Sequence, residues 1–171
     1  MQKVNSLQGK WWNVVFFLTA LPLVAADQLS KLWIRSNLLV GQSLFEIGFF
    51  RFTHIHNTGA AFGLFRGHSL ILTVVAVFGV TVLLLYAFLL YRRYPLLNSR
   101  LSRVALGLVL GGTIGNLIDR LQFGYVTDFI DFTVWPAFNI ADSAIVVGTI
   151  LLAYSIISLA RARERSDGQG I

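Results

Sequence analysis

The sequence has no cysteine, one methionine and three prolines. Without a thiol there is no disulfide, no thiolate metal ligand, no cysteine nucleophile and no cysteine to carry a lipid. Charge is scarce as well: Asp, Glu, Lys and Arg make up 13% of the 171 residues, and only eight are acids. A soluble domain carries about 25% charge. What remains is 56% hydrophobic, and long stretches hold no charge at all: 22 residues from Leu70 to Tyr91, 18 from Ser143 to Ala160, 15 from Val104 to Ile118 and 16 from Trp11 to Ala26. About 20 helical residues cross a hydrocarbon layer of about 30 Å. The pattern predicts a single-domain, all-α polytopic membrane protein with four transmembrane helices, near 11–34, 70–91, 103–121 and 142–160. The first run follows Lys3 and Lys10 and ends in "LVAADQ", which is also the pattern of a cleavable signal peptide. It is long for a signal core, and its loss would leave three spans and an isolated "DQLSK", so it is taken as span one.

The basic residues are distributed unevenly. Lys3, Lys10, Arg92, Arg93, Arg100, Arg103, Arg161, Arg163 and Arg165 flank span ends that a four-span topology puts on one side, together with Glu164 and Asp167. By the positive-inside rule that side is cytoplasmic, as are both termini, a loop near 92–102 and a polar tail at 161–171. This topological reading accounts for the basic patches, and no nucleic-acid partner is expected. Two segments, near 35–69 and 121–141, then face outward, and residues 49–56 have the alternation of a short strand before a turn at "NTG". Gly107, Gly111 and Gly115 form a stripe suited to close helix packing, Pro22 is expected to kink span one, and Trp11, Trp12, Trp33 and Trp135 suit the membrane interface.

The few carboxylates gather where burial is costly. At 1.5 Å per residue, Asp119 lies ~24 Å along span three from Arg103, Asp27 ~24 Å from Trp11, and Asp142 heads span four ~27 Å from its far end. Asp128 falls in the connector between spans three and four. Four carboxylates from separate parts of the chain therefore share one depth. Asp27 and Lys31 are spaced i,i+4 and suit an ion pair; Asp119 beside Arg120 suits a pair or a cap. Asp128 and Asp142 have no basic neighbour in sequence. Two such carboxyls brought together share a proton, and the pair can activate water as base and protonate a leaving amine as acid. That chemistry uses no metal or cofactor.

Five motifs occur in order: "DQLSK" (27–31), "NTGAAFG" (57–63), "GGTIGNLIDR" (111–120), "VTDF" (126–129) and "FNIAD" (138–142). As a set they resemble the bacterial lipoprotein signal peptidases, the type II signal peptidases, across residues 11–160. The resemblance implies an aspartic endopeptidase of the inner membrane that cuts prolipoproteins before a diacylglyceryl-modified cysteine, without cofactor or metal. Its catalytic aspartates fall on Asp128 and Asp142. Substrate-binding or supporting positions fall on Asn57, Asn116, Arg120, Asn139, Asp27, Lys31, Asp119 and Gly112. The implied partners are lipidated precursors and membrane lipid, with the enzyme a monomer. Asp131 is expected to be solvated or a cap. Two other readings are a hydrolase using His54, His56 or His68 as metal ligands, which lacks an HExxH motif, and an ion-coupled transporter, whose carboxylates would be expected nearer the midplane.

Overall fold

A computed structural model describes residues 2–59, 67–90 and 99–168, with side chains described for 13–59, 67–89, 99–162 and 164. The expected loop at 92–102 and tail at 161–171 lie partly outside the described residues, as do most of "NTGAAFG" and the side chains of Trp11 and Trp12. The elements are α1 (Gln2–Asn37), β1 (Ser43–Ile47), β2 (Phe50–Asn57), α2 (Ser69–Leu85), α3 (Arg100–Phe123), β3 (Val126–Phe132) and α4 (Ile140–Gly168), with a π-helical turn at Tyr86–Leu90 ending α2. Among the described residues four stretches are long and apolar enough to cross a membrane: Asn13–Asn37, Ser69–Leu89, Arg100–Phe123 and Ile140–Ala162. In hydrocarbon every backbone amide must be satisfied within the segment, which only a helix achieves for a single pass. α1 continues through Pro22 as one helix.

α3 is the central element, and its glycines explain why. A Cβ on Gly107 would sit 2.7 Å from the Phe16 carbonyl oxygen, and one on Gly111 would sit 2.8 Å from that of Ala20. A Cβ on Gly112 would collide with the Ala141 carbonyl and Ile145, and one on Gly148 of α4 would sit 2.7 Å from the Ala105 carbonyl oxygen. α1 and α4 therefore approach α3 backbone to backbone on two sides, as the small-residue stripe predicts. Phe16, Ala20, Leu106 and Leu110 close the core between α1 and α3, with Tyr86 and Ala87 from the end of α2. Phe16 and Ala20 are thus integral to the core. Gly111→Ala is expected to destabilise the protein by about 1–3 kcal/mol through overpacking, whereas Gly79→Ala, with nothing within 4 Å of the added methyl, leaves the melting midpoint in detergent near wild type or raises it.

Beyond one end of the helices lies an antiparallel sheet in the order β1-β2-β3. The expected strand at 49–56 is β2. β3 follows α3 directly: Gly124, at φ +77°, donates its N–H to the Arg120 carbonyl at 3.0 Å and turns the chain out of the helix, a conformation that favours glycine. Ile34, Leu38 and Phe129 pack beneath the sheet with Phe52 and Ile140. In the β2/β3 register Ile55 faces Asp128 and Asn57 faces Val126. This brings "NTG" beside "VTDF".

Candidate active site

The end of α1, the end of α3, β3 and the start of α4 meet around a buried polar network. Asp27, Lys31 and Asp119 are completely buried. The Lys31 ammonium donates to Asp27 Oδ2 at 2.9 Å and to Asn116 Oδ1 at 2.9 Å, and lies 3.3 Å from Asp119 Oδ2. Asp27 Oδ1 in turn accepts from the backbone N–H of Ala141 at 3.0 Å, so α1 caps the first turn of α4. Asp119 accepts from the Thr127 N–H at 2.9 Å and pairs with Arg35 at 3.3 Å. The expected i,i+4 pair of Asp27 and Lys31 is present. Asp119 does not pair with its neighbour Arg120, because adjacent helical residues point about 100° apart. Arg120 Nη2 instead reaches the Gly59 carbonyl at 3.1 Å.

"FNIAD" forms a reciprocal cap. Asn139 Oδ1 accepts from the Asp142 N–H at 2.9 Å, and Asp142 Oδ2 accepts from the Asn139 N–H at 3.2 Å. This is a capping box with Asn and Asp in place of the usual Ser/Thr and Glu. It fixes the Asp142 carboxyl at the head of α4. Asn116 Nδ2 then donates to Asp142 Oδ1 at 2.7 Å.

Asp128, on β3, is 2% exposed. Its Oδ2 accepts from Asn57 Nδ2 at 2.9 Å and its Oδ1 from Asn139 Nδ2 at 2.8 Å. Asn139 therefore touches both carboxyls, that of Asp128 through its side-chain amide and that of Asp142 through its backbone N–H. Among the described residues neither Asp128 nor Asp142 has a basic side chain within ion-pair distance, whereas Asp27, Asp119 and Asp131 each do. Burial, and then the negative charge of Asp142, push the Asp128 carboxyl up to about 7, against the opposing pull of the Asn57 and Asn139 hydrogen bonds and the Lys31 charge.

Both carboxyls open on a cavity of about 680 Å³ that is also lined by Asn57, Asn116, Arg120 and His56. Ile55, Val126, Trp135, Ile145 and Val146 give it apolar walls. It is large enough for a short peptide segment and combines apolar walls with a few converging polar groups.

Of the residues singled out from sequence, Asp128, Asp142, Asn57, Asn116, Arg120 and Asn139 meet at this cavity. Asp27, Lys31, Asp119 and Gly112 lie behind it, Gly112 by allowing the approach of α4 at Ala141. Asp131 differs from expectation. It is 5% exposed and accepts from Arg51 Nε at 2.7 Å, its cross-strand neighbour in the β2/β3 register. Gln28, Arg35 and Thr127 belong to the network without having been singled out. Gln28 Nε2 bridges Asp27 Oδ2 and the Gly115 carbonyl at 3.1 and 3.0 Å. For Arg35 a signal was present, since Asp27, Lys31 and Arg35 recur every four residues on one helix face.

The histidines do not combine as a metal site. The His54 Nδ1 is 2.8 Å from the Leu38 carbonyl oxygen, and the His56 ring stacks on Tyr125 at 3.6 Å. Among the described residues no three His, Asp or Glu side chains are grouped as metal ligands would be.

Comparison with known proteins gives a consistent picture. The family pattern described as "Signal peptidase (SPase) II" matches residues 19–158. A lipoprotein signal peptidase from Dehalococcoides mccartyi is 50% identical over 148 residues, covering 85% of this chain and 92% of that protein. One from Moorella thermoacetica is 48% identical, covering 83% and 92%, and one from Shewanella amazonensis is 42% identical, covering 96% and 94%. Two solved structures described as bacterial membrane enzymes, both 30% identical, superpose with TM-scores of 0.71 and 0.70 over 88% and 82% of this chain and 90% and 91% of theirs.

Proposed function

The chain belongs to the signal peptidase II family, and on that premise we propose that Asp128 and Asp142 act together as its catalytic pair. Membership makes it a peptidase that removes signal peptides from prolipoproteins and a multi-pass protein of the bacterial inner membrane. The catalytic assignment is carried by one observation: two carboxyls from different elements open on the same cavity, held by amides, while the other buried carboxylates are neutralised by cations.

In this reading one carboxylate takes a proton from a water molecule as it attacks the scissile carbonyl. The other, protonated, gives its proton to the departing amine. Asn57, Asn116 and Asn139 donate to the two carboxyls and fix their orientation, so their role is to hold the pair. Arg120 lines the cavity and anchors the turn after β2 through Gly59. Apolar walls limit water around the proton transfers, where electrostatic effects are stronger.

The sheet end of the bundle is assigned to the outer face, with both termini cytoplasmic, because the basic residues concentrate at the other end. A signal peptide lies in the membrane with its cleavage site at that outer surface. Cleavage is assigned to the bond before the diacylglyceryl-modified cysteine, with the acyl chains helping to hold that cysteine at the interface. The enzyme acts as a monomer on the lipidated precursor.

Mass analysis of the products tests the assignment of the bond: the mature fragment is expected to begin with the modified cysteine, and an unlipidated precursor is expected to react far more slowly. A different new terminus, or equal rates for the two precursors, would contradict it. pH provides a second test. The Asp128 carboxyl holds its proton from the ordinary 3.8 up to about 7 in the folded protein. Cleavage is therefore expected to fall as pH rises through about 7, by roughly tenfold per unit once the pair has lost its proton. The same shift makes this group's contribution to stability fall as pH rises from 3.8 to about 7, since the folded state binds the extra proton in that window. A cleavage rate that keeps rising through neutral pH would contradict the assignment.

A further inference from the structure

We infer that Arg35 is a positioning residue for the reaction, acting on Asp128 through the side chain of Thr127; this rests on the reading of Asp128 and Asp142 as the catalytic pair. Arg35 lies in the last turn of α1. Its Nη1 donates to Thr127 Oγ1 at 3.0 Å and to Asp119 Oδ1 at 3.3 Å. The guanidinium lies over the Phe123 ring, 4.7 Å from its centroid. The planar group is therefore held from one face while its edge engages two acceptors.

Thr127 is completely buried, and three of its polar atoms are held from three different elements. Its N–H donates to Asp119 of α3 at 2.9 Å, its hydroxyl oxygen accepts from Arg35 of α1, and its carbonyl accepts from Asn139 Nδ2 at 3.4 Å. Asn139 is the same residue that caps α4 and touches Asp128. Successive side chains in a strand point to opposite faces. Thr127 thus points back into the helix bundle, and Asp128, the next residue, opens on the cavity.

The face of α1 carrying Asp27, Lys31 and Arg35 acts as a ruler. Asp27 holds the Ala141 N–H of α4, Lys31 holds Asn116 of α3, and Arg35 holds Thr127 of β3. Arg35 is the one of the three that reaches the strand bearing Asp128. Loss of that contact lets β3 shift relative to α4, and with it the Asp128 carboxyl relative to Asp142. A displacement of about 1 Å in reacting groups costs on the order of 10²-fold in rate.

The test compares Arg35→Ala, Thr127→Val, Thr127→Ser and the double variant Arg35→Ala/Thr127→Val as full-length proteins in lipid, acting on one lipidated precursor. Arg35→Ala and Thr127→Val are each expected to lower kcat by about 10–100-fold with little change in KM. Thr127→Val matters most, because it removes only the hydroxyl and leaves the Arg35–Asp119 pair in place. Thr127→Ser is expected to recover most of kcat. The double variant is expected to be no slower than the slower single one, since both break the same contact. Wild-type kcat in Thr127→Val, losses that multiply in the double variant, or a loss confined to KM would overturn the inference. Asp128→Asn serves as the control: if it is inactive while Thr127→Val keeps wild-type kcat, this inference alone has failed, and if Asp128→Asn remains active, the reading beneath it has failed.

Discussion

Asp128→Asn and Asp142→Asn are each expected to lower the rate of prolipoprotein cleavage by about 10²–10⁴-fold, the range that general acid–base groups contribute. The amide has nearly the shape of the carboxyl but can neither take a proton from water nor give one to an amine. Asp142→Asn retains an oxygen for the Asn139 N–H, and α4 keeps its cap from Asn139 Oδ1 and from Asp27. The loss is therefore one of chemistry, and both variants are expected to accumulate in the membrane. In contrast, Asp131→Asn weakens a pair with Arg51 outside the cavity and is expected to leave cleavage nearly unchanged.

Replacing Lys31 by methionine is expected to damage the fold itself. The ammonium is the shared partner of Asp27, Asp119 and Asn116 at 2.9, 3.3 and 2.9 Å, with both carboxylates and the lysine completely buried. Methionine fills much of the volume but leaves two buried anions without that cation. Removing one member of such a network costs on the order of 3–5 kcal/mol, which corresponds to a fall of roughly 6–20 °C in the melting midpoint of a protein of this size. Arg35 continues to pair with Asp119, so the damage falls most heavily on Asp27 and the start of α4. Adding Asp27→Asn to the Lys31→Met protein is expected to recover part of the midpoint by removing one uncompensated charge. A wild-type midpoint in Lys31→Met would contradict the burial of this network.

The four spans were legible because hydrocarbon imposes length and composition together: a charge-free run of some twenty residues has few other fates. That Asp27, Asp119 and Asp142 meet at one end of the helices followed from helical rise alone. Distinguishing among them did not. Asp119 sits beside Arg120 in sequence, but helix geometry turns it toward Lys31 and Arg35 on another helix. Asp131 looked solvated because its partner Arg51 lies 80 residues away and meets it only through strand register. β3 was hidden as a strand because most of "VTDFIDF" is buried on both faces, which removes the alternation that marks a half-exposed strand. The double role of Asn139, cap for α4 and bridge between the two carboxyls, likewise appears only once β3 and α4 are side by side.

In the function proposed here, Asp128 and Asp142 work as one unit on one water molecule. The most direct test is the single-turnover cleavage rate of one lipidated precursor by Asp128→Asn, Asp142→Asn and the double variant, each first shown to be inserted and folded. A large loss is expected in each single variant, with a double variant no slower than either, because removing one half of an acid–base pair already removes its function. Near wild-type cleavage by either single variant, or losses that multiply in the double, would contradict it.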